Sequence, residues 1–189
     1  MFENEEISKI VPMLKSGGLI IYPTDTVWGI GCDALNEEAI ANVYKLKQRN
    51  LSKSLILLVD DEKRIKQYVK QIHPKAQSLN EYYERPLTII YDQAKNLPKL
   101  LPAENGSIAI RIVKDDFCKA LIQALDAPLV STSANFSNRR TPSNFSEIDQ
   151  DLLEQVDYVV EHRRDDTTSA LPSVVVKIAE NGDLIFLRK

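Results

Sequence analysis

Side chains that build thiolate or imidazole chemistry are scarce in this chain, with two cysteines and two histidines in 189 residues. Cys32 and Cys118 lie far apart and form no CxxC pair, so neither a disulfide framework nor a thiolate metal site is supported. Both read as small core residues. His73 and His162 fall in expected loops with no nucleophile signal nearby, and each reads as a surface residue rather than a catalyst. Glycine is sparse at six residues, and neither a Walker loop nor a GxGxxG appears. Zinc and EF-hand spacings are missing as well. No apolar run approaches membrane-spanning length, and the Met1 to Glu6 start is acidic where a secretory leader would be basic. The expectation is a cytoplasmic chain. An excess of positive charge is also lacking: a net charge of -3 argues against broad nucleic-acid binding, although a local basic face stays open. Repeats and low-complexity segments are absent.

What remains is ordinary globular composition, 43% apolar and 27% charged, at a length that suits one domain over residues 1 to 189. The richest stretch is Gly18 to Val59. An apolar run, Leu19 to Tyr22, stops at Pro23, and Thr24, Asp25 and Thr26 follow at once. A helix then opens at Asn36, with Ala39, Ile40, Val43 and Leu46 at helical spacing, and delivers Lys45, Lys47, Arg49 and Lys53 into the turn before a strand over Leu55 to Val59. Cations at that density beside a hydroxyl-bearing loop suit a polyphosphate. They equally suit a solvated helix end, since positive charge there offsets the helix dipole.

Elsewhere the pattern alternates. Ile7 to Leu14 reads as a first helix, kinked or shortened by Pro12 and closed by Gly17-Gly18. Further helices are expected from Asp60 or Asp61 to Tyr68, over Lys75 to Tyr83, over Asp116 to Leu125, and from a Ser146 cap to Val156. Strands are expected at Leu87 to Tyr91, Ser107 to Val113, Leu129-Val130 and Tyr158 to Glu161, with a closing hairpin of Ser173 to Ile178 and Leu184 to Leu187 about Asn181-Gly182. Asp92 to Gly106 is the one plausible linker. Strands alternating with helices predict a mixed sheet with helices packed on it.

Two further features carry chemistry. Arg111 sits mid-strand, where a cation must be exposed at an edge or paired. Ser131, Thr132, Ser133 and Asn135 open the polar run STSANFSNRRTPS after a short strand, where α/β sheets bind ligands; a turn bonding its own main chain is the plainer alternative.

Taken together these stretches resemble the YrdC family, whose bacterial members are threonylcarbamoyl-AMP synthases. The family's KxR and SxN signatures match Lys47 with Arg49 and Ser133 with Asn135, and Tyr22 to Gly31 is similar to its YPTxTxxGxG run. Ser107 to Arg111, Pro172-Ser173 and Leu187-Arg188 extend the likeness, which covers Gly17 to Arg188. The chain departs from the pattern at Asn50 and Ser54 in place of proline, at Asn138 in place of glycine and at Val174 in place of threonine.

The resemblance implies an α/β fold (α+β in some schemes), a mixed twisted sheet with flanking helices around an open concave cavity. It implies a nucleotidyltransferase that uses L-threonine, bicarbonate or CO2 and ATP for tRNA modification. Lys47, Arg49, Ser133 and Asn135 would be the catalytic set. Lys53, Ser107, Thr141 and Arg188 would join them on ATP, while Thr26, Arg111, Ser131 and Ser173 would hold threonine. Mg2+ would ride on the phosphates with no protein side chain as ligand, and downstream threonylcarbamoyl-transfer proteins would be partners. For Arg111 the alternative is a pair with an acid such as Asp25. A different class is a non-catalytic module for double-stranded RNA or tRNA, extended by Arg139-Arg140 and Arg163-Arg164.

Overall fold

The computed structural model describes residues 4–51 and 53–189. Helix α1 (Asn4–Lys15) leads into strands β1 (Ile20–Tyr22) and β2 (Gly29–Asp33), helix α2 (Glu37–Leu46) and strand β3 (Ile56–Val59). Helices α3 (Glu62–Tyr68) and α4 (Pro74–Tyr82) follow, then β4 (Leu87–Tyr91), β5 (Ile108–Ile112), α5 (Asp116–Leu125) and β6 (Leu129–Ser133). A 3-10 turn (Phe145–Glu147), α6 (Gln150–Leu153), β7 (Tyr158–Val159), β8 (Val174–Ile178) and β9 (Leu184–Arg188) complete the order. Among the described residues no helix is long and apolar enough to cross a membrane.

The described strands form one nine-stranded sheet in the order β7-β1-β2-β6-β3-β5-β4-β8-β9. Three neighbouring pairs are parallel (β1 with β7, β3 with β5, β4 with β8) and the other pairs are antiparallel. Alternation along the strands splits the core in two. Ile20, Tyr22, Leu58 and Leu129 pack with Ile10 and Leu14 of α1 and Phe117, Leu121 and Ile122 of α5. Ile21, Leu57, Val59 and Val130 face the other way, toward Ile40 and Val43 of α2, Ile65 of α3 and Ala76 of α4. The period of two thus puts a helical layer on each face.

Helix starts follow their caps. Asn36, Asp61 and Asp115 accept from the main-chain N–H three residues on, and the His73 ring accepts from Lys75 ahead of Pro74. Gly17, at φ +94, ends α1 while Gly18 N–H donates to the Met13 carbonyl.

Several expectations shift. Pro12 lies inside α1 without shortening it. The expected helix from Ser146 to Val156 is a 3-10 turn and then the one-turn α6, because Ile148 is extended (ψ 132) and Asp149 takes over as cap. Asp92 to Gly106 is no free linker, since Leu101 is buried and the Gly106 carbonyl accepts from Ala94 N–H. Strand β6 runs on through Ser131, Thr132 and Ser133, so three of the four residues of the polar cluster are sheet rather than turn.

Strand β2 had no counterpart in the expectations, because its two glycines weaken the strand pattern. A Cβ on Gly31 would sit 2.5 Å from a Tyr22 ring carbon and 2.8 Å from the Val130 carbonyl oxygen. The glycine makes room for the buried Tyr22 ring between β1 and β2. Gly31→Ala is therefore expected to destabilise the protein by about 1–3 kcal/mol through overpacking. The readout is a lower urea midpoint at unchanged m. An unaltered midpoint would show that the ring is not held against β2.

Candidate active site

Register brings distant segments together at one end of the sheet. Ser131 of β6 lies opposite both Gly31 of β2 and Ile56 of β3, and Ile56 lies opposite Ala109 of β5, two residues before Arg111. Arg111 in turn faces Thr88 of β4, whose hydroxyl shares a 2.8 Å hydrogen bond with the Ser173 hydroxyl. Arg188 at the end of β9 donates to the Ser173 carbonyl at 2.7 Å and to its hydroxyl at 2.9 Å.

These groups surround a cavity of about 150 Å³ lined by Thr26, Val27, Trp28, Gly29, Arg49, Ser54, Ile56, Arg111, Ser131, Thr132, Ser133, Thr141, Pro172, Ser173 and Arg188. Three guanidiniums and seven hydroxyls face it, and no carboxylate does. A dry cavity of that size can hold benzene, so this one has room for a ligand of about that bulk.

Arg111 is 4% exposed in a central strand, and its terminal nitrogen lies 3.2 Å from Asp25 Oδ1 and 3.5 Å from the Thr24 hydroxyl. Of the two sequence options it is paired rather than at an edge. The pairing is incomplete, because the buried Arg111 Nε has no hydrogen-bond partner. Asp25 is itself held by the Lys114 N–H at 3.1 Å, and Thr24 supplies its hydroxyl to the Val27 carbonyl and shares a bond with Thr26 at 2.9 Å. Arg49 donates to the carbonyls of Lys53 and Ser54, both at 3.0 Å. Burial pulls the Arg49 and Arg188 guanidiniums below their ordinary values, and for Arg188 the charge on Arg111 adds to it.

The structure thus brings Thr26, Arg49, Arg111, Ser131, Ser133, Thr141, Ser173 and Arg188 around one space. Lys47, Lys53, Ser107 and Asn135 lie outside its lining. Lys53 is exposed, and the Ser107 hydroxyl donates to Asn105 at 2.7 Å. Asn135 donates its amide to the Phe136 and Arg139 carbonyls, leaving its buried Oδ1 without a partner. Lys47 is the largest departure from expectation: it is 1% exposed, with its ammonium on the carbonyls of Ser133 at 2.5 Å and Asn135 at 2.7 Å. As the C-cap of α2 it points into the protein, while Lys45 alone of the helix's last turn faces solvent.

The expected basic face is also altered. Arg163 pairs with Asp115 and Asp166 and donates to the Thr24 carbonyl, Arg164 donates to the Val159 and Val160 carbonyls, and Arg139 pairs with Asp149. Those cations hold loops in place. Sequence reasoning missed Val27, Trp28, Gly29, Ser54, Ile56 and Pro172 as lining residues. For Trp28 a signal existed, as the lone tryptophan inside the Tyr22 to Gly31 run; it packs on Phe145 with ring centroids 4.9 Å apart. Among the described residues no group of three or more His, Cys, Asp or Glu could hold a metal ion.

A mixed sheet that gathers cations and hydroxyls at strand ends, with no histidine or cysteine lining the cavity, has the chemistry to bind and position small anions rather than to attack them. The chain belongs to the Sua5/YciO/YrdC family, whose profile, described as "Telomere recombination", matches residues 12–189. The threonylcarbamoyl-AMP synthase of Pseudoalteromonas translucida is 33% identical over 96% of this chain and 97% of its own length. A putative threonylcarbamoyl-AMP synthase of Methanocaldococcus jannaschii is 32% identical over 98% of this chain and 87% of its own. Among solved structures, P. abyssi Sua5 complexed with L-threonine matches with a TM-score of 0.88 at 22% identity, covering 100% of this chain but 55% of that one. The chain thus spans about half the length of that Sua5. E. coli YciO matches with a TM-score of 0.86 at 22% identity over 99% of this chain and 90% of its own. These two likenesses establish the fold.

Burial, with the nearby Arg49 charge, pulls the Lys47 ammonium from 10.5 down to about 7. The unfolded lysine keeps its proton to the higher value, so between the two the unfolded state binds more protons and stability rises with pH. The Lys47 penalty is therefore full below pH 7 and is relieved progressively above it. Burial raises the Cys32 and Cys118 thiols and the Tyr22 phenol, so those groups lower stability above about pH 9. From pH 6.5 to 8.5 the urea midpoint of the wild type should gain relative to Lys47→Met. Parallel midpoints would place the Lys47 titration outside this window.

Proposed function

We propose that the chain is an L-threonylcarbamoyladenylate synthase, which joins L-threonine, bicarbonate or CO2 and ATP into threonylcarbamoyl-AMP and pyrophosphate for modification of tRNA at A37. The observation that carries this reading is the carboxylate-free cavity with three guanidiniums, on a fold whose relatives bear that name over nearly their full length.

The α-amine of threonine adds to CO2, and the carbamate oxygen attacks the α-phosphorus while pyrophosphate leaves. Such a displacement depends on positioning and on neutralising negative charge, not on a protein nucleophile. Arg111, with one nitrogen on Asp25 and its Nε uncommitted, would take the threonine carboxylate beside Thr26, Ser131 and Ser173. Arg49 and Arg188 at the same cavity would neutralise phosphate charge, with Ser133 and Thr141 as hydroxyl donors. Lys53, Ser107 and Asn135 would meet a nucleotide only beyond the rim. Mg2+, when present, would be carried by phosphate oxygens and water and would offset their charge. Proteins that pass the threonylcarbamoyl group to tRNA are the expected partners.

Val27, Trp28, Ile56 and Pro172 give the cavity its apolar wall, where the threonine methyl would pack. One methyl in such a pocket discriminates by about 10- to 200-fold. Calorimetry of the purified chain should show L-threonine binding more tightly than L-serine within that range. Arg111→Lys should weaken threonine at least about tenfold by breaking the two-pronged contact, and Arg49→Ala should abolish threonine-dependent pyrophosphate release. Failure of threonine to bind at all would remove the synthase reading.

A further inference from the structure

We infer that Lys47 is a positioning residue, which clamps the end of β6 to the end of α2 and does not contact the nucleotide. The inference rests on the synthase reading for its functional meaning, but the geometry stands by itself. The Lys47 Nζ spans two carbonyls, those of Ser133 and Asn135, at 2.5 and 2.7 Å. The Lys47 carbonyl accepts from the Ser137 N–H at 3.0 Å. One residue thus ties three points of the segment that follows β6, whose other main-chain bonds there are Ala134 N–H to the Trp28 carbonyl at 2.9 Å and a local turn that Asn135 N–H closes on Ser133.

The ammonium is spent. It is 1% exposed, two of its three hydrogens are on the half-buried carbonyls of Ser133 and Asn135, and the residue does not line the cavity. To reach a phosphate it would have to leave both carbonyls without a donor, at the cost of unmet hydrogen bonds. Two residues on, Arg49 does line the cavity. The Lys-x-Arg pair therefore divides its labour: the arginine faces the ligand, and the lysine fixes the strand end that carries Ser133 beside it. A clamp of this kind suits a site whose catalysis depends on placement, since small displacements of binding groups cost rate steeply.

The test has two readouts. Backbone hydrogen exchange of the ligand-free chain reports the clamp alone, and ATP affinity as a function of salt counts the cations that meet phosphate. In Lys47→Met, exchange at residues 134, 135 and 137 should accelerate about tenfold or more, while the slope of log Kd for ATP against log salt stays at the wild-type value. Arg49→Met should give the converse, with native exchange there and a slope smaller by about one. Lys47→Gln, which keeps amide donors on a shorter stem, is read in the same two ways and serves where the methionine variant does not fold. Unchanged exchange in the Lys47 variants, or a slope reduced by about one, would overturn the inference. Wild-type protein that binds no ATP would count against the synthase reading, while the exchange experiment would still decide the clamp.

Discussion

A guanidinium buried in the middle of a sheet is the constraint on which the rest of the site depends. Arg111 is flanked by β3 and β4 and cannot turn to solvent, so its charge must be balanced where it stands. Asp25 supplies the balance at 3.2 Å, and that one contact fixes the loop between β1 and β2. The same loop is then tied again from outside: Lys114 N–H holds Asp25, and Arg163, pinned by Asp115 and Asp166, donates to the Thr24 carbonyl. Removing one member of such a set leaves an uncompensated buried charge, so the acid and the arginine stand or fall together. Their pairing leaves the buried Nε of Arg111 without a hydrogen-bond partner, in a residue that lines a small cavity.

Around that point the sheet works as a register device. The lining residues come from the first, middle and last parts of the chain, and they meet because antiparallel and parallel pairings bring Gly29, Ile56, Arg111, Ser131 and Arg188 to one end. A slip of one residue in β6 would turn Ser131 and Ser133 to the opposite face and replace them by Val130 and Thr132. The small side chains of β2 allow the close approach that this register needs, since a Cβ on Gly29 would come within 3.1 Å of the Ser131 hydroxyl.

Much of this was legible in advance where local rules decide. Capped helices with apolar stripes, such as α2 and α5, and the Asn181-Gly182 hairpin, with Gly182 at φ +82, follow from nearest-neighbour chemistry. The substitution of Asn138 for the family's glycine is absorbed because asparagine tolerates the φ of +69 found there. Illegible features are those set by distant contacts. Strand β2 reads as a loop because its glycines answer to the Tyr22 ring, nine residues back along the chain from Gly31 but adjacent in space. Lys47 and Arg49 carry the same charge and sit two apart, yet one is turned in by carbonyls from residues 133 and 135 and the other outward to the cavity. Charge pattern alone cannot separate them, nor can it show that Arg163 and Arg164 are taken up by partners within the protein.

The composition of the cavity also bears on a proton that the proposed reaction must lose. Carbamate forms only from a neutral amine, and no histidine or carboxylate lines the cavity to act as base. Like charge takes over part of that role, because an α-ammonium placed among Arg49, Arg111 and Arg188 is disfavoured relative to the free amine. The same physics acts on Arg188, which burial first and then the Arg111 charge pull below its ordinary value. Bicarbonate, an anion, is drawn to the same cations that repel the ammonium. A site without a base can therefore still favour the reactive form of its nucleophile, because the charges proposed to hold the carboxylate and the phosphates would also work against the proton on the amine.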